Sequence, residues 1–277
     1  MNFLARSPHP YLRAYIHRYV EMESGDETAS KIPVEILPNG HSYLTFSYGK
    51  RPLLDEAGTT SEVPDVFLSG QATRADKSFV FSGRMGHFGV EFSPTAIYNL
   101  LGADVQMYEL QDKMGALEEL CPGRQLLSDR LYEAACFEER CYCMDNYFLE
   151  RLKKTSSNPQ LEYAVQMVLS RQGRLSVADI CREVNLGPRQ LRRHFQAQVG
   201  VSPKCFIGIT QLKHIHHLAS RLNDCCHHDL LHQGGFYDQS HFIRRFTKFM
   251  GESPSDFYKD YDQFLKFYLA GLEETEN

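Results

Sequence analysis

The chain has 277 residues, 42% hydrophobic and 12% aromatic, enough for about two packed domains and too apolar for wholesale disorder. No run approaches the roughly 18 apolar residues of a membrane span, and the start MNFLARSPHPYLRAY lacks the apolar core of a secretory signal, so a cytoplasmic chain with reduced cysteines and no membrane partner is expected. The net charge of −5 hides a split: residues 1–157 carry 16 Lys and Arg against 22 Asp and Glu, whereas residues 158–260 carry 13 against 9, with eight of the twelve histidines, an asymmetry that suggests a basic binding domain beside an acidic one.

In chain order, residues from Tyr11 to Met22 read as an amphipathic helix, with Leu12, Tyr15, Ile16 and Tyr19 at helical spacing. Short apolar runs follow at Val34–Leu37 and Tyr43–Phe46, and the Asn39-Gly40 pair between them favours a tight reversal joining two strands. Further strands are expected at Val66–Leu68, Ser78–Phe81 and His87–Phe92. Ser93-Pro94 then opens a helix that runs through Leu101. A long helix is expected from about Gln125 to Lys154, broken near Cys136–Cys143, and it offers either a dimer surface or core. The aromatics Tyr43, Phe46, Tyr48, Phe67, Phe79, Phe81, Phe88 and Phe92 either wall an apolar ligand pocket or pack an ordinary core.

The turn-favouring run Thr155-Ser156-Ser157-Asn158-Pro159 marks the seam. It divides the chain into residues 1–155, a sensing or dimerisation domain, and residues 156–277, a DNA-binding domain. The expected fold is α+β: an N-terminal mixed, barrel-like domain, then an all-α domain with two helix-turn-helix units joined by a linker helix.

The second part contains an internal repeat. Shifting residues 191–206 by 51 aligns Arg193 with Arg244, Phe195 with Phe246, Gly200 with Gly251, Ser202 with Ser253, Pro203 with Pro254 and Phe206 with Phe257. In the first copy Ser176 and Asp179 form a helix-start pair, Asn185 and Gly187 break that helix, and Pro188 opens the next. Leu191, Phe195 and Val199 share one face, Gly200 closes the helix, and Ser202-Pro203 starts another. This is a helix-turn-helix unit. The opposite face carries Arg189, Gln190, Arg192, Arg193 and Gln196 in the first copy, and Gln239, Ser240, His241, Arg244, Arg245 and Lys248 in the second. Arg grips guanine bidentately, Gln does so with adenine, and Lys and Arg hold phosphates. Two such faces on two copies favour DNA over a solvated basic surface. The linker helix from Pro203 to about Leu222 spans about 30 Å, close to one duplex turn of about 34–36 Å.

Residues from about 160 to 260 resemble the DNA-binding domain of AraC/XylS-type bacterial transcription regulators. The resemblance rests on Asp179-Ile180, on Pro188 through Phe195, on Gly200-Val201-Ser202-Pro203, on Gly235 through Phe246, and on Gly251-Glu252-Ser253-Pro254. It implies a seven-helix fold, promoter binding, and base contacts from Arg189, Arg192, Arg193, Gln239, Ser240 and Arg244. Leu231, Gln211 and Ile215 depart from the pattern. By the same resemblance the N-terminal domain senses a small-molecule effector or pairs two subunits, with RNA polymerase as a further possible partner.

Competing chemistries have weaker support. His214, His216, His217, Cys225, Cys226, His227, His228 and His232 crowd one stretch, yet match no structural-zinc spacing, so solvated histidines beside the DNA face are expected. Cys136, Cys141 and Cys143 read as buried thiols. Cys121, before Pro122-Gly123, lies in a loop and is open to a reactive-thiol reading, with nothing nearby to activate it. In the first domain only His41 and His87 stand out as central metal ligands, without a His-x-His pair, a nucleophile elbow or a phosphate loop. No metal, no cofactor and no enzymatic activity are expected. A small barrel enzyme with a fused helical module, and a protein-binding helical scaffold, are the alternatives.

Overall fold

The computed structural model describes residues 2–24, 31–102, 105–120, 125–152, 157–221, 236 and 238–257. The described residues of the first half hold ten strands: β1 (Asn2–Arg6), β2 (Ile16–Glu23), β3 (Ile32–Glu35), β4 (Ser42–Gly49), β5 (Leu53–Glu56), β6 (Thr59–Glu62), β7 (Val66–Ser69), β8 (Lys77–Phe81), β9 (Met85–Phe92) and β10 (Met114–Ala116). Among the described residues they form two open sheets, not one closed barrel. One has six strands in the order β1-β2-β9-β4-β7-β10, the other four in the order β3-β8-β5-β6.

Strand alternation gives the six-stranded sheet two different faces. Tyr19 and Glu21 of β2, Leu44 and Phe46 of β4, and Phe88, Val90 and Phe92 of β9 are buried on the side covered by the helices α1 (Ala96–Leu101), α3 (Gln125–Glu133) and α4 (Phe137–Leu152); a short helix, α2 (Leu117–Leu120), follows β10. Helix α4 buries Phe137, Met144 and Phe148 there. It is fixed by polar anchors as well: Arg140 Nε donates to Glu21 Oε2 at 2.8 Å, and Tyr19 Oη donates to Asp145 Oδ1 at 2.9 Å. The intervening residues Arg18, Val20, Met22, Tyr43, Thr45, His87, Gly89 and Glu91 line the space facing the four-stranded sheet.

Two local expectations give way to non-local pairing. Residues Tyr11–Met22 are not a helix: a 3-10 turn at Pro10–Leu12 leads into β2. Leu12, Ile16 and Tyr19 are buried as their spacing demands, but β1 and β9 flank β2 on both sides, and this pairing outweighs a helical pattern of three or four residues. The Asn39-Gly40 turn is present, with Gly40 at φ +83°. It does not join a hairpin: β3 pairs with β8 while β4 pairs with β7 and β9, so the turn carries the chain from one sheet to the other. The long helix expected from Gln125, broken near Cys136–Cys143, is two helices, and the break at residues 134–136 includes Cys136.

The second half is helical: α5 (Pro159–Ser170), α6 (Val177–Val184), α7 (Pro188–Gln198), α8 (Pro203–Arg221), α9 (Gln239–Met250) and α10 (Pro254–Phe257). Residues 153–156 of the seam, and Cys121, Leu222, Cys225, Cys226, His227, His228, Leu231 and His232, lie outside the described residues. Each unit has its own core. Leu191, Phe195, Val199 and Phe206 join Leu161, Val168 and Ile180 in the first. Phe242, Phe246, Phe249 and Phe257 join Ile209, Leu212 and Ile215 in the second. No described helix is long and apolar enough to cross a membrane.

Candidate nucleic-acid interface and the site behind it

The first unit is built by local signals that the sequence states openly. The Asp179 amide donates to Ser176 Oγ at 3.2 Å, and the Ser176 amide donates to Asp179 Oδ2 at 2.9 Å, a reciprocal cap that starts α6. Asn185 ends it at φ +51°, a conformation Asn tolerates. Pro188 occupies the first turn of α7, and the Gly187 amide donates to Gln190 Oε1 at 3.2 Å. With Leu191 and Phe195 held inward, Arg189, Gln190, Arg192 and Arg193 are all exposed along the other face, and Gln196 is half-buried. Gln190 thus has a capping task besides any contact with a base.

The second unit repeats the plan. The His241 amide donates to Asp238 Oδ1 at 2.7 Å and Gly251 closes α9 at φ +80°. Gln239, Ser240, Arg244 and Lys248 are exposed. Two residues of this face behave otherwise. His241 is half-buried, its ring 5.6 Å from that of Phe236. Arg245 is half-buried, with its guanidinium against Gly208 of α8, and burial lowers its pKa. His216 departs from the expected solvated histidines: it is 2% exposed and packed against the rings of Phe246 and Phe257, and burial lowers its pKa to about 4.

The N-terminal half touches both units. Gly200, at φ +91°, lies so close to the 3-10 turn Met107–Leu110 that a Cβ there would sit 2.7 Å from Met107 O. The Ala75 amide donates to Phe249 O at 2.8 Å, satisfying a carbonyl at the end of α9. Leu37 is buried in the core of the second unit. Asn99 of α1 donates to Glu162 of α5 at 3.1 Å, and Lys213 of α8 lies 3.2 Å from His41 Nε2.

Behind these contacts, between the two sheets, is a cavity of about 140 Å³. Val34, Leu37, Phe67, Phe79 and Met114 give it apolar walls; Arg18, His41, His87 and Glu91 add charge and imidazole. Of the eight aromatics read as either pocket wall or ordinary core, Tyr43, Phe67 and Phe79 line the cavity, while Phe46, Phe88 and Phe92 belong to the helix-side core. Cys141 is buried, Cys143 half-buried and Cys136 exposed, so burial of all three thiols is not what the structure has.

One end of the cavity carries a cluster that the sequence did not disclose. Arg18 Nε donates to Glu91 Oε2 at 3.1 Å with both side chains 1% exposed. His41 Nε2 stands 3.3 Å from Glu91 Oε1, and the His17 ring stacks on that of His41 at 5.0 Å. A register shift between Ile16 and Arg18 in the β2–β9 pairing makes His17 the extra residue of a bulge, a device that re-aims a side chain. Burial lowers the His41 pKa to about 3, so its imidazole is neutral at pH 7. Burial would raise Glu91, but at the acid pH where it titrates the protonated His41 ring, with Arg18 and the positive groups beyond, outweighs it and lowers the carboxyl to about 2. With His41 neutral, the paired Arg18 is what keeps this carboxylate ionised. The sequence signals were His41, singled out as a candidate ligand, and Glu91, a polar residue in the otherwise apolar run His87–Phe92; the partners His17, Arg18 and Lys213 come from other elements. A second cavity of about 240 Å³ adjoins the cluster, lined by His17, His41, Gln172, Lys213, His214 and His217 at the junction of the two halves.

Residues 161–260 match a family described as a helix-turn-helix domain, and residues 5–114 match a domain of unknown function (DUF6597). No curated protein matches the chain. Similar solved structures include ToxT from Vibrio cholerae, at 12% identity over 93% of this chain and 98% of that one, with a TM-score of 0.44. ToxT from Vibrio cholerae O395 bound to (E)-4-(8-methylnaphthalen-1-yl)but-3-enoic acid gives 13%, 97%, 100% and 0.46. The AraC-like transcriptional activator CuxR gives 13%, 83%, 91% and 0.25. The helix-turn-helix match spans both units assembled above, and residues 161–260 belong to that helix-turn-helix domain family.

Proposed function

We propose that the chain reads a two-part DNA site with α7 and α9, and that a small effector in the N-terminal domain controls how those helices are presented. In this reading Arg189, Arg192, Arg193, Gln239, Ser240 and Arg244 meet base edges, and Lys248 holds phosphate. Arg245, half-buried against α8, is left out of the phosphate set. The linker helix α8 has 19 residues and is about 28 Å long at 1.5 Å per residue, which suits successive major grooves on one side of a duplex.

The observation that carries effector control is that cavity and DNA-reading helix share loops. Leu37 lines the cavity and packs in the core of the second unit. Arg74 lines the cavity, and its neighbour Ala75 bonds the end of α9. A molecule that displaces either loop displaces α9. A volume of about 140 Å³ suits a compact, mostly apolar molecule about the size of benzene. A mobility-shift assay on DNA upstream of the chain's own gene tests the DNA reading: retardation that survives excess random DNA supports it, and retardation competed equally by any DNA contradicts it. Thermal shifts across a panel of small aromatic and aliphatic metabolites test the effector. A compound that raises Tm must also change DNA affinity; one that raises Tm with no change in DNA affinity defeats the control mechanism.

A further inference from the structure

We propose that His17, His41 and Glu91 form a binding site for a zinc-class divalent cation, and that this cation competes for the site with the ammonium group of Lys213.

The argument starts from hydrogen-bond bookkeeping. His41 Nδ1 is 3.0 Å from the Phe92 carbonyl oxygen, which can only accept, so Nδ1 carries the proton and Nε2 carries a lone pair. That lone pair is 3.3 Å from Glu91 Oε1, a buried oxygen with no hydrogen-bond partner. Two acceptors thus face each other inside the protein, an arrangement that costs free energy unless a cation joins them; the Lys213 ammonium meets Nε2 at 3.2 Å, and Glu91 Oε1 is left without a hydrogen-bond partner. The spacing fits a metal: ligand atoms bound to zinc at about 2.0–2.1 Å in a tetrahedron stand about 3.4 Å apart. The third nitrogen comes from His17, and all three donor atoms lie within 4.8 Å of one another. The bulge at His17 brings that side chain to the cluster.

The surroundings have the features that orient metal ligands. The Phe92 carbonyl fixes the His41 ring, and Arg18 holds the other Glu91 oxygen at 3.1 Å; both are outer-shell contacts of the kind that set ligand orientation and basicity. Two imidazoles and one carboxylate leave a coordination position open, as in sites where zinc meets water or a small ligand. The cavity at the junction of the two halves gives the ion a route in.

Lys213 Nζ now stands 3.2 Å from His41 Nε2. A metal on that lone pair requires the ammonium to leave. Because Lys213 belongs to α8, which joins the two DNA-reading units, metal binding releases one of the contacts between the halves. That consequence rests on the regulatory reading above; the site itself does not.

The test uses the full chain, stripped with a chelator and titrated with Co²⁺ followed by visible absorption, then with Zn²⁺ as competitor. One Co²⁺ per chain, displaced by Zn²⁺, is expected. His17→Ala, His41→Ala and Glu91→Gln should each weaken binding at least about tenfold, and Lys213→Met should tighten it. Circular dichroism confirms that each variant is folded; His17, on the half-exposed bulge, is the variant least prone to collapse and decides the matter if the others do. No Co²⁺ absorption, or affinity untouched by the three ligand substitutions, overturns the site. Unchanged affinity in Lys213→Met overturns the competition. A chain that binds DNA but no cobalt refutes the site and leaves the regulator reading intact, whereas bound cobalt with unaltered DNA affinity keeps the site and refutes its coupling to α8.

Discussion

The two helix-turn-helix units follow one plan but spend their basic residues differently. On α7 the four N-terminal polar residues Arg189, Gln190, Arg192 and Arg193 all face solvent. On α9 only Arg244 and Lys248 of the basic set do, because Arg245 folds back over Gly208 and His241 leans on Phe236. The attachments to the N-terminal half differ as well. The first unit meets the turn at Met107 through Gly200; the second takes Leu37 into its core and accepts, at Phe249 O, a hydrogen bond from the Ala75 amide, both from loops that border the cavity. In the proposed function the first unit is the fixed reader and the second is the one through which an effector in the cavity would act.

The largest effects should come from the cores, where the units are alike. Phe195 and Phe246 are 0% and 1% exposed, and replacing either by Ala should cost about 3–5 kcal/mol, measured by denaturant unfolding. Unequal losses would break the equivalence of the two cores. Next come the base contacts. Arg193→Ala and Arg244→Ala should each cost about 1–3 kcal/mol on the preferred site and much less on random DNA, measured by titration with both. Equal losses on both DNAs would reduce these residues to phosphate contacts.

A pH effect separates the second unit from the first. The His216 pKa is lowered to about 4 by burial, against about 6.5 in the unfolded chain. Above pH 6.5 both states are neutral and nothing is lost. As pH falls from 6.5 toward 4 the unfolded chain takes up the proton first, so stability declines, by about 2 kcal/mol at pH 5. His87, buried in the first domain and lowered to about 4, adds a decline of the same sign there. Denaturant unfolding of His216→Phe at pH 7 and pH 5 should show a smaller decline than the parent; an equal decline removes His216 as its source.

The smallest effect is in salt dependence. Lys248→Ala should flatten the slope of log affinity against log salt by about one unit, whereas Arg245→Ala should leave the slope nearly unchanged. A flattening by Arg245→Ala equal to that of Lys248→Ala would return Arg245 to the phosphate set.

The contrast in legibility has a physical cause. The helical half was readable because its boundaries are local chemistry: Ser176 with Asp179, Asn185, Pro188, Gly200 and Asp238 each act within four residues of their own position. The sheet half depends on partners far along the chain. Residues 11–22 carry an apolar spacing that a helix also satisfies, and only the flanking strands β1 and β9 decide otherwise. Asn39-Gly40 announced a turn but not which strands it joins. The cluster was hidden for the same reason: His17, His41, Glu91 and Lys213 come from four elements separated by at least 24 residues in sequence, and the bulge that aims His17 exists only in the pairing of β2 with β9.

The most direct test of the account is a chemical footprint on DNA selected by the chain from a random pool. The account predicts two protected patches about 10 base pairs apart on one side of the duplex, with Arg193→Ala erasing one patch and Arg244→Ala the other. A single patch, or the loss of both patches by either substitution, would contradict two independent readers on one chain.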